Sequence, residues 1–332
     1  MSAPALADPL IVVAGPSTGR HAAALAAMVE GARRGLDGRA IRISDVDDGC
    51  DAQRAEGAAR VIVAERPDLV VGHPCPAAAI AAAKVYAAAG VLFIALGVRH
   101  PDLTDKRAGP TIFRLAGRDD RQGQAAAETL LALAPRGPTA IVPDRTAYAR
   151  GLTAAIVAEF ASRKLPPPVI VPIVAGRRDY DLELRKLATS PPQGIFFAGY
   201  PSEAAVVLRG LRKVGLATVL VASDANATDE FAATVATGNL VVTPVKVMVP
   251  APGSGGYDAA ELREAAVRAV TAWLAAMDMG LANDVPARLA MPVTLGAPSR
   301  VQFDSRGDSL VASFAAVPLI AGQWRGSARA GP

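Results

Sequence analysis

Residues 68–96 read DLVVGHPCPAAAIAAAKVYAAAGVLFIAL. From 77 to 98 one charge, Lys84, interrupts an apolar run long enough to span a bilayer. Gly90 divides that run into an alanine-rich half and the β-branched and aromatic stretch Val91-Leu92-Phe93-Ile94. A helix over 77–89 between short buried strands at 68–72 and 91–96 accounts for the pattern without a membrane.

The same rhythm extends in both directions. Upstream lie a strand at 10–15, a helix at 21–34 with Leu25, Met28, Val29 and Ala32 on one face, a strand at 40–46 and a helix at 51–64. Downstream a strand at 111–115 closes the first series. A second series follows, with helices at 119–133, 148–162, 180–189 and 202–214 and strands at 139–143, 168–174, 194–199 and 218–222. Short strands buried on both faces and alternating with helices indicate βαβ units, so the fold class is α/β with two doubly wound parallel sheets. An apolar β-rich run occupies 239–249, residues 250–256 read as a surface loop, and the tail at 300–324 is β-rich around a turn at Ser305-Arg306-Gly307-Asp308.

Composition agrees with two packed domains. The chain has 332 residues, 51% hydrophobic and 20% charged. Lys and Arg number 35 against 31 Asp and Glu, a net charge of +4. The densest basic spots are the pairs Arg33-Arg34 and Arg177-Arg178, which excludes the clustered basic face of a nucleic-acid binder. Ala5-Leu6-Ala7 has the small-x-small form of a signal-peptidase site, with no basic or apolar leader region before it. Either an export leader is absent from this sequence, or the chain is cytosolic and the match is chance. Cys50 and Cys75 each follow a strand, so a bond between neighbouring loops is geometrically open, as are two separate thiols.

In open parallel sheets, ligands sit at the carboxyl ends of the strands. That selects the loops at 15–21, 72–77, 95–100, 143–148, 198–202 and 222–226. Other chemistry is poorly supported. Gly15-Pro16-Ser17-Thr18-Gly19 matches the nucleophile elbow of hydrolases, but it follows the first strand, and His21, His73 and His100 all fall early. Ser17 therefore reads as part of a turn before a helix. His73 and Cys75 lack a second pair at metal spacing, Asp47-Asp48-Gly49 lacks the rest of a calcium loop, and no nucleotide fingerprint follows a strand. The expectation is no metal, no cofactor and no catalytic residue.

The chain resembles the type I periplasmic binding proteins of the branched-chain and hydrophobic amino-acid uptake class. The resemblance runs from about Leu10 to Trp324. It is carried by Asp47-Asp48-Gly49-Cys50-Asp51, Val71-Gly72-His73-Pro74-Cys75, residues 86–94, Phe113-Arg114 through Asp120-Arg121-Gln122-Gly123, Tyr148 through Gly151-Leu152, and Gly199-Tyr200. It implies two discontinuous lobes, 8–116 with 247–314 and 117–246 with 315–327, joined by a three-segment hinge. It further implies a Cys50–Cys75 disulfide and a periplasmic, monomeric, non-enzymatic role. The partners implied are a small-molecule ligand and an inner-membrane ABC permease.

The family's ligand positions map with changes. The two hydroxyl residues that hold a ligand carboxylate fall on Pro76 and Arg99, with Ala77 beside the first and Gly97 offering backbone only. Arg99 is expected to replace them, with Arg20 nearby. The resemblance places Tyr148, Tyr200 and Asp224 on the ammonium side. Plainer roles are ion pairing of the arginines with Asp102 or Asp224, packing of the tyrosines at the cleft edge, and capping by Asp224 of a helix near Thr228. The expected ligand is an amino-acid-like compound or a carboxylate other than ordinary leucine, isoleucine or valine. A cytosolic ligand sensor on the same fold is the alternative.

Overall fold

The computed structural model of this chain describes residues 9–135, 137–237, 245–250, 259–278, 286, 293–294, 300–310, 314–320 and 323–324. Residues 1–7, residues 251–256 of the expected loop and residues 239–244 of the apolar run lie outside the described residues. The chain forms two compact units, Met1–Asp119 with Gly253–Ala312 and Asp120–Pro252 with Ser313–Pro332.

The first unit begins as β1 (Leu10–Gly15), α1 (Ala23–Gly35), β2 (Arg42–Asp47), α2 (Ala52–Ala64), β3 (Leu69–Gly72), α3 (Pro76–Ala88), β4 (Phe93–Ala95), α4 (Asp102–Asp105) and β5 (Ile112–Arg114). Its strands are all parallel, in the order β2-β1-β3-β4-β5. Alternation along each strand sends side chains to opposite faces. Ile11, Val13, Leu69, Val71 and Ile94 pack with α1, whereas Leu10, Val12, Val70 and Phe93 pack with α2 and α3. Each fully buried Val, Leu, Ile or Phe contributes about 1.5–3 kcal/mol. The edge strand β2 departs from the expected double-sided burial, because it has a neighbour on one side only and its residues are half-buried or exposed.

The second unit repeats the winding. Its elements are α5 (Gln122–Leu133), β6 (Thr139–Pro143), α6 (Ala147–Ser162), β7 (Val169–Ile170), α7 (Asp181–Ala188), β8 (Gly194–Ala198), α8 (Pro201–Lys213), β9 (Val219–Ala222), α9 (Asp229–Thr237) and β10 (Val245–Pro250). The order β7-β6-β8-β9-β10 reproduces that of the first sheet. The strand expected over 168–174 shrinks to the two exposed residues of β7, an edge strand that follows Pro166-Pro167-Pro168.

The chain then returns to the first unit with α10 (Ala259–Asp278), β11 (Val293–Thr294) and β12 (Arg300–Val301). It ends in the second with β13 (Phe314–Ile320) and β14 (Gln323–Trp324), which extend that sheet antiparallel beyond β10. The twenty-residue α10 is absent from the sequence reading. It lies against α1 at a close crossing. A Cβ added at Gly31 would meet Arg263 O at 2.1 Å, and one at Gly35 would meet Val270 Cβ at 2.9 Å. Two glycines four residues apart on one helix face let the backbones approach this closely.

The three passages between units fall after Asp119, Pro252 and Ala312. They differ by a few residues from the expected 116, 246 and 314. Asp119 N donates to Arg99 O at 3.0 Å, which keeps 117–119 with the first unit. Strand β10 pairs with β13 from Val245 to Pro250, with Phe314 opposite Pro250, so both ends of that pairing belong to the second sheet.

Candidate functional site

Each sheet switches winding direction beside its first strand, between β1 and β3 in one unit and between β6 and β8 in the other. A crevice at the strand ends opens at such a point. The loops that border it are held in place by buried polar groups.

In the first unit, Gly72 ends β3 at φ +131°, and a Cβ there would lie 1.9 Å from Ala14 O. Only glycine fits. The next residue, His73, takes a left-handed φ of +43°, and its N donates to Ala14 O at 2.6 Å. Its buried ring lies 2.8 Å from Asp48 Oδ2 through Nδ1 and 2.8 Å from the Tyr86 hydroxyl through Nε2. A carboxylate offers only acceptors, so the ring proton sits on Nδ1 and Nε2 accepts from Tyr86. Burial, with the charge of Asp48, pushes the Tyr86 phenol far up, so it remains a donor. The other oxygen of Asp48 accepts from Cys50 N at 2.8 Å, and Cys50 is joined to Cys75 with 5.4 Å between Cα atoms. The loops after β2 and β3 are thus fastened to each other across the end of β1.

The expected ligand residues of this unit stand around that clasp. Pro76 occupies the first turn of α3, with exposed Ala77 next to it. Gly97 follows β4 at φ +78° and is buried. The backbone of Arg20 belongs to the 3-10 turn Gly19–His21, and its side chain lies outside the described residues. Arg99 is turned to Asp119, where Nε donates to Oδ1 at 2.7 Å. Neither Asp102 nor Asp224 takes that pairing: Asp102 accepts from Lys106 at 2.9 Å, and Asp224 belongs to the network described next. Ser17 N donates to Asp47 Oδ1 at 2.8 Å. That bond, aided by Gly49 N and Arg54 and opposed by burial, holds the Asp47 carboxyl below its ordinary range.

In the second unit the structure brings Tyr148, Tyr200 and Asp224 together. The Tyr148 hydroxyl donates to Asp224 Oδ1 at 2.5 Å and approaches Gln122 Oε1 at 3.3 Å. The two tyrosine rings lie 5.7 Å apart between centroids, tilted by 36°. Burial first, and then the Asp224 charge, raises the Tyr148 phenol well above its ordinary value. Tyr200 is 45% exposed. Capping of α9 falls to Thr228, whose hydroxyl accepts from Phe231 N at 3.2 Å, so Asp224 has no capping role there.

Beneath these groups, buried Ser223 and Asn226 both donate to Gly199 O, at 2.9 and 3.0 Å, and tie the loop after β9 to the loop after β8. Asp144 Oδ1 accepts from both the N and the Oγ1 of Thr146, at 3.0 and 2.7 Å. Its Oδ2 is buried with no partner among the described residues, 2.8 Å from where a Cβ of Gly199 would stand.

Sequence reasoning assigned no role to Asp48, His73, Tyr86, Asp119, Gln122, Asp144 or Asn226. Asp48, His73, Tyr86, Asp119 and Gln122 stood inside the stretches that carried the resemblance, and a polar residue in an otherwise apolar strand-end motif was the available signal. Among the described residues, no three or more His, Cys, Asp or Glu side chains converge as a metal would need.

The profile of a family described as periplasmic binding protein matches residues 13–245. An amino acid binding protein of Pseudomonas aeruginosa is 31% identical over 244 residues, covering 70% of this chain and 65% of that protein. The Leu/Ile/Val-binding protein of Escherichia coli is 29% identical over 187 residues, 56% of this chain and 51% of that protein. The chain thus spans between about half and two thirds of the length of these relatives. Among solved structures, a branched-chain amino acid ABC transporter protein from Rhodospirillum rubrum superposes with a TM-score of 0.73 at 21% identity, covering 96% of this chain and 99% of that one. A solute binding protein of R. palustris in complex with benzoate has a TM-score of 0.52 at 17% identity, covering 96% and 95%. At these identities the structures share the fold.

Proposed function

This chain belongs to the periplasmic binding protein family, and from that premise we propose that it is the solute-binding component of an ABC importer. It captures a small polar molecule by closure of its hinge and changes no covalent bond in it. The observation that carries this reading is the Tyr148–Asp224 hydrogen bond beside Tyr200, an aromatic and anionic cluster on strand-end loops. Closure over a ligand removes water and strengthens such contacts. The relatives bear the names of amino-acid binders, and one structural neighbour holds benzoate. The replaced positions Pro76 and Arg99 argue for a solute other than leucine, isoleucine or valine.

Export to the periplasm fits the Cys50–Cys75 disulfide, because such bonds persist in oxidising compartments. The same bond weighs against a cytosolic sensor. Among the described residues no helix is long and apolar enough to cross a membrane. The partner is an inner-membrane permease, approached by a monomer.

A thermal-shift screen of amino acids, aromatic acids, dicarboxylates, amides and amines tests the reading. A true solute raises the unfolding midpoint with dose, by mass action, and lowers the radius of gyration in solution scattering. If no class shifts the midpoint and none compacts the protein, solute capture is rejected.

A further inference from the structure

We propose that the first unit carries a further small-molecule site at the amino ends of its sheet, and that its ligand is a small uncharged amphiphile. This goes beyond solute capture, because the loops that serve capture lie at the carboxyl ends of the strands. Strand β3, with four residues, separates the two ends by about 13 Å of extended chain.

The cavity has a volume of about 480 Å³, in the range that takes one small molecule. Its described lining residues all belong to the first unit. Most stand just before strands: Arg66 and Asp68 before β3, Val91 and Leu92 before β4, and Thr111 before β5. Trp273 and Met277, near the end of α10, complete the wall. Val91, Leu92 and Trp273 are buried, so the inner wall is apolar and includes an indole, which suits an aromatic or branched body.

One polar atom in this wall is unused. Thr111 Oγ1 is buried with no hydrogen-bond partner among the described residues. Buried hydroxyls are ordinarily paired. A hydroxyl both donates and accepts, so it can serve an alcohol or an amide in either sense.

The charges around the cavity select against ionic head groups. Helices α2, α3 and α10 all end beside it, at Ala64, Ala88 and Asp278, and the carboxyl end of a helix is negative. Asp278 itself is paired with Arg39 at 2.6 Å. Asp68 is exposed and keeps its charge near the cavity, with Oδ2 accepting from Leu10 N at 2.9 Å. A carboxylate therefore meets repulsion. Exposed Arg66 opposes an ammonium in the same way. An uncharged head group is disfavoured by neither sign and still satisfies Thr111.

The two tryptophans, Trp273 and Trp324, make the site readable by fluorine NMR of protein labelled with 5-fluorotryptophan. Trp324→Phe assigns the two resonances. The probes are benzamide, benzyl alcohol, benzoate and benzylamine, which share a ring and differ in head group. Benzamide or benzyl alcohol is expected to move the Trp273 resonance with dose and to bind at least about tenfold more tightly than either ion. Thr111→Val keeps the side-chain shape and is expected to weaken that binding roughly 3- to 10-fold, the range of a neutral hydrogen bond. Ala89→Phe, at an exposed wall position, is expected to block it by filling the cavity. Melting curves of both variants separate lost binding from lost fold. A probe that registers in calorimetry without moving Trp273 is held elsewhere, and that result for all four overturns the proposal. Tighter binding of benzoate or benzylamine overturns it too, as does wild-type affinity in both variants. A Trp273 shift that fails to saturate below roughly 10 mM is adventitious association and has the same consequence.

Discussion

His73 and Asp48 meet with 2.8 Å between Nδ1 and a carboxylate oxygen, and both side chains are shut off from solvent. Because Tyr86 satisfies the other ring nitrogen, both nitrogens of the buried His73 ring have partners. Tyr86→Phe removes that partner and little else. Leaving a buried acceptor unpaired costs about 1–3 kcal/mol, to be read from urea denaturation. A loss below about 0.5 kcal/mol, the range of ordinary surface changes, would mean that Nε2 finds another donor.

The Cys50–Cys75 bond closes a loop with a sequence separation of 25. Chain-entropy arithmetic for a loop of this size gives about 3–4 kcal/mol of stabilisation. The double variant Cys50→Ser with Cys75→Ser should lose that much in denaturant midpoints. Reductant should lower the wild-type protein to the same level and leave the variant unmoved.

Asp308 is 2% exposed and lies between two buried arginines, with Arg114 Nε at 2.8 Å and Arg118 at 3.0 Å. Burial pushes its carboxyl upward, but the Arg114 charge and the bonds from Thr104, Arg114 and Arg118 outweigh this and hold it below the ordinary 3.8. A carboxyl lowered on folding contributes stability that is complete above 3.8 and is lost as pH falls through the folded value. Melting temperature against pH should therefore fall below about pH 4 more steeply in wild type than in Asp308→Asn. At neutral pH, Asp308→Ala leaves two buried cations with less compensation, at a cost of about 3–5 kcal/mol.

Two glycines in helices should respond oppositely to alanine. Gly31 faces Arg263 O across the α1–α10 contact, where a Cβ has no room. Gly31→Ala should destabilise by about 1–3 kcal/mol through overpacking. Gly57 in α2 is exposed, and a Cβ there meets nothing within 4 Å. Gly57→Ala should stabilise by about 0.4–1 kcal/mol, because it restricts the unfolded chain. Equal effects at the two sites would refute the close helix crossing.

Much of the fold was legible in the sequence because its strands are short apolar runs set between helices. Val70-Val71 and Phe93-Ile94 announce themselves by composition, and Gly72 and Gly90 mark where they meet the neighbouring segments. Helix α10 was left unread, although Leu262, Ala266, Ala269, Val270 and Trp273 recur at helical spacing. Its pattern gave no hint that its partner would be α1, more than 200 residues earlier. The loops of the candidate site were legible from strand order alone, and Tyr148, Tyr200 and Asp224 came from the resemblance. Arg99 came from the resemblance as well. What the sequence did not show is that its Nε donates to Asp119 Oδ1, twenty residues on.

Local pattern by itself determined the two series of βαβ units, the loops where strands end, and the residue types available there. These depend on neighbours along the chain, whose spacing a sequence displays directly. Tertiary structure alone decided which distant segments return to which unit, that His73 is locked between Asp48 and Tyr86, and that Arg99 answers to Asp119. Such pairings are set by distances across the folded core, and residues far apart in sequence carry no mark of them.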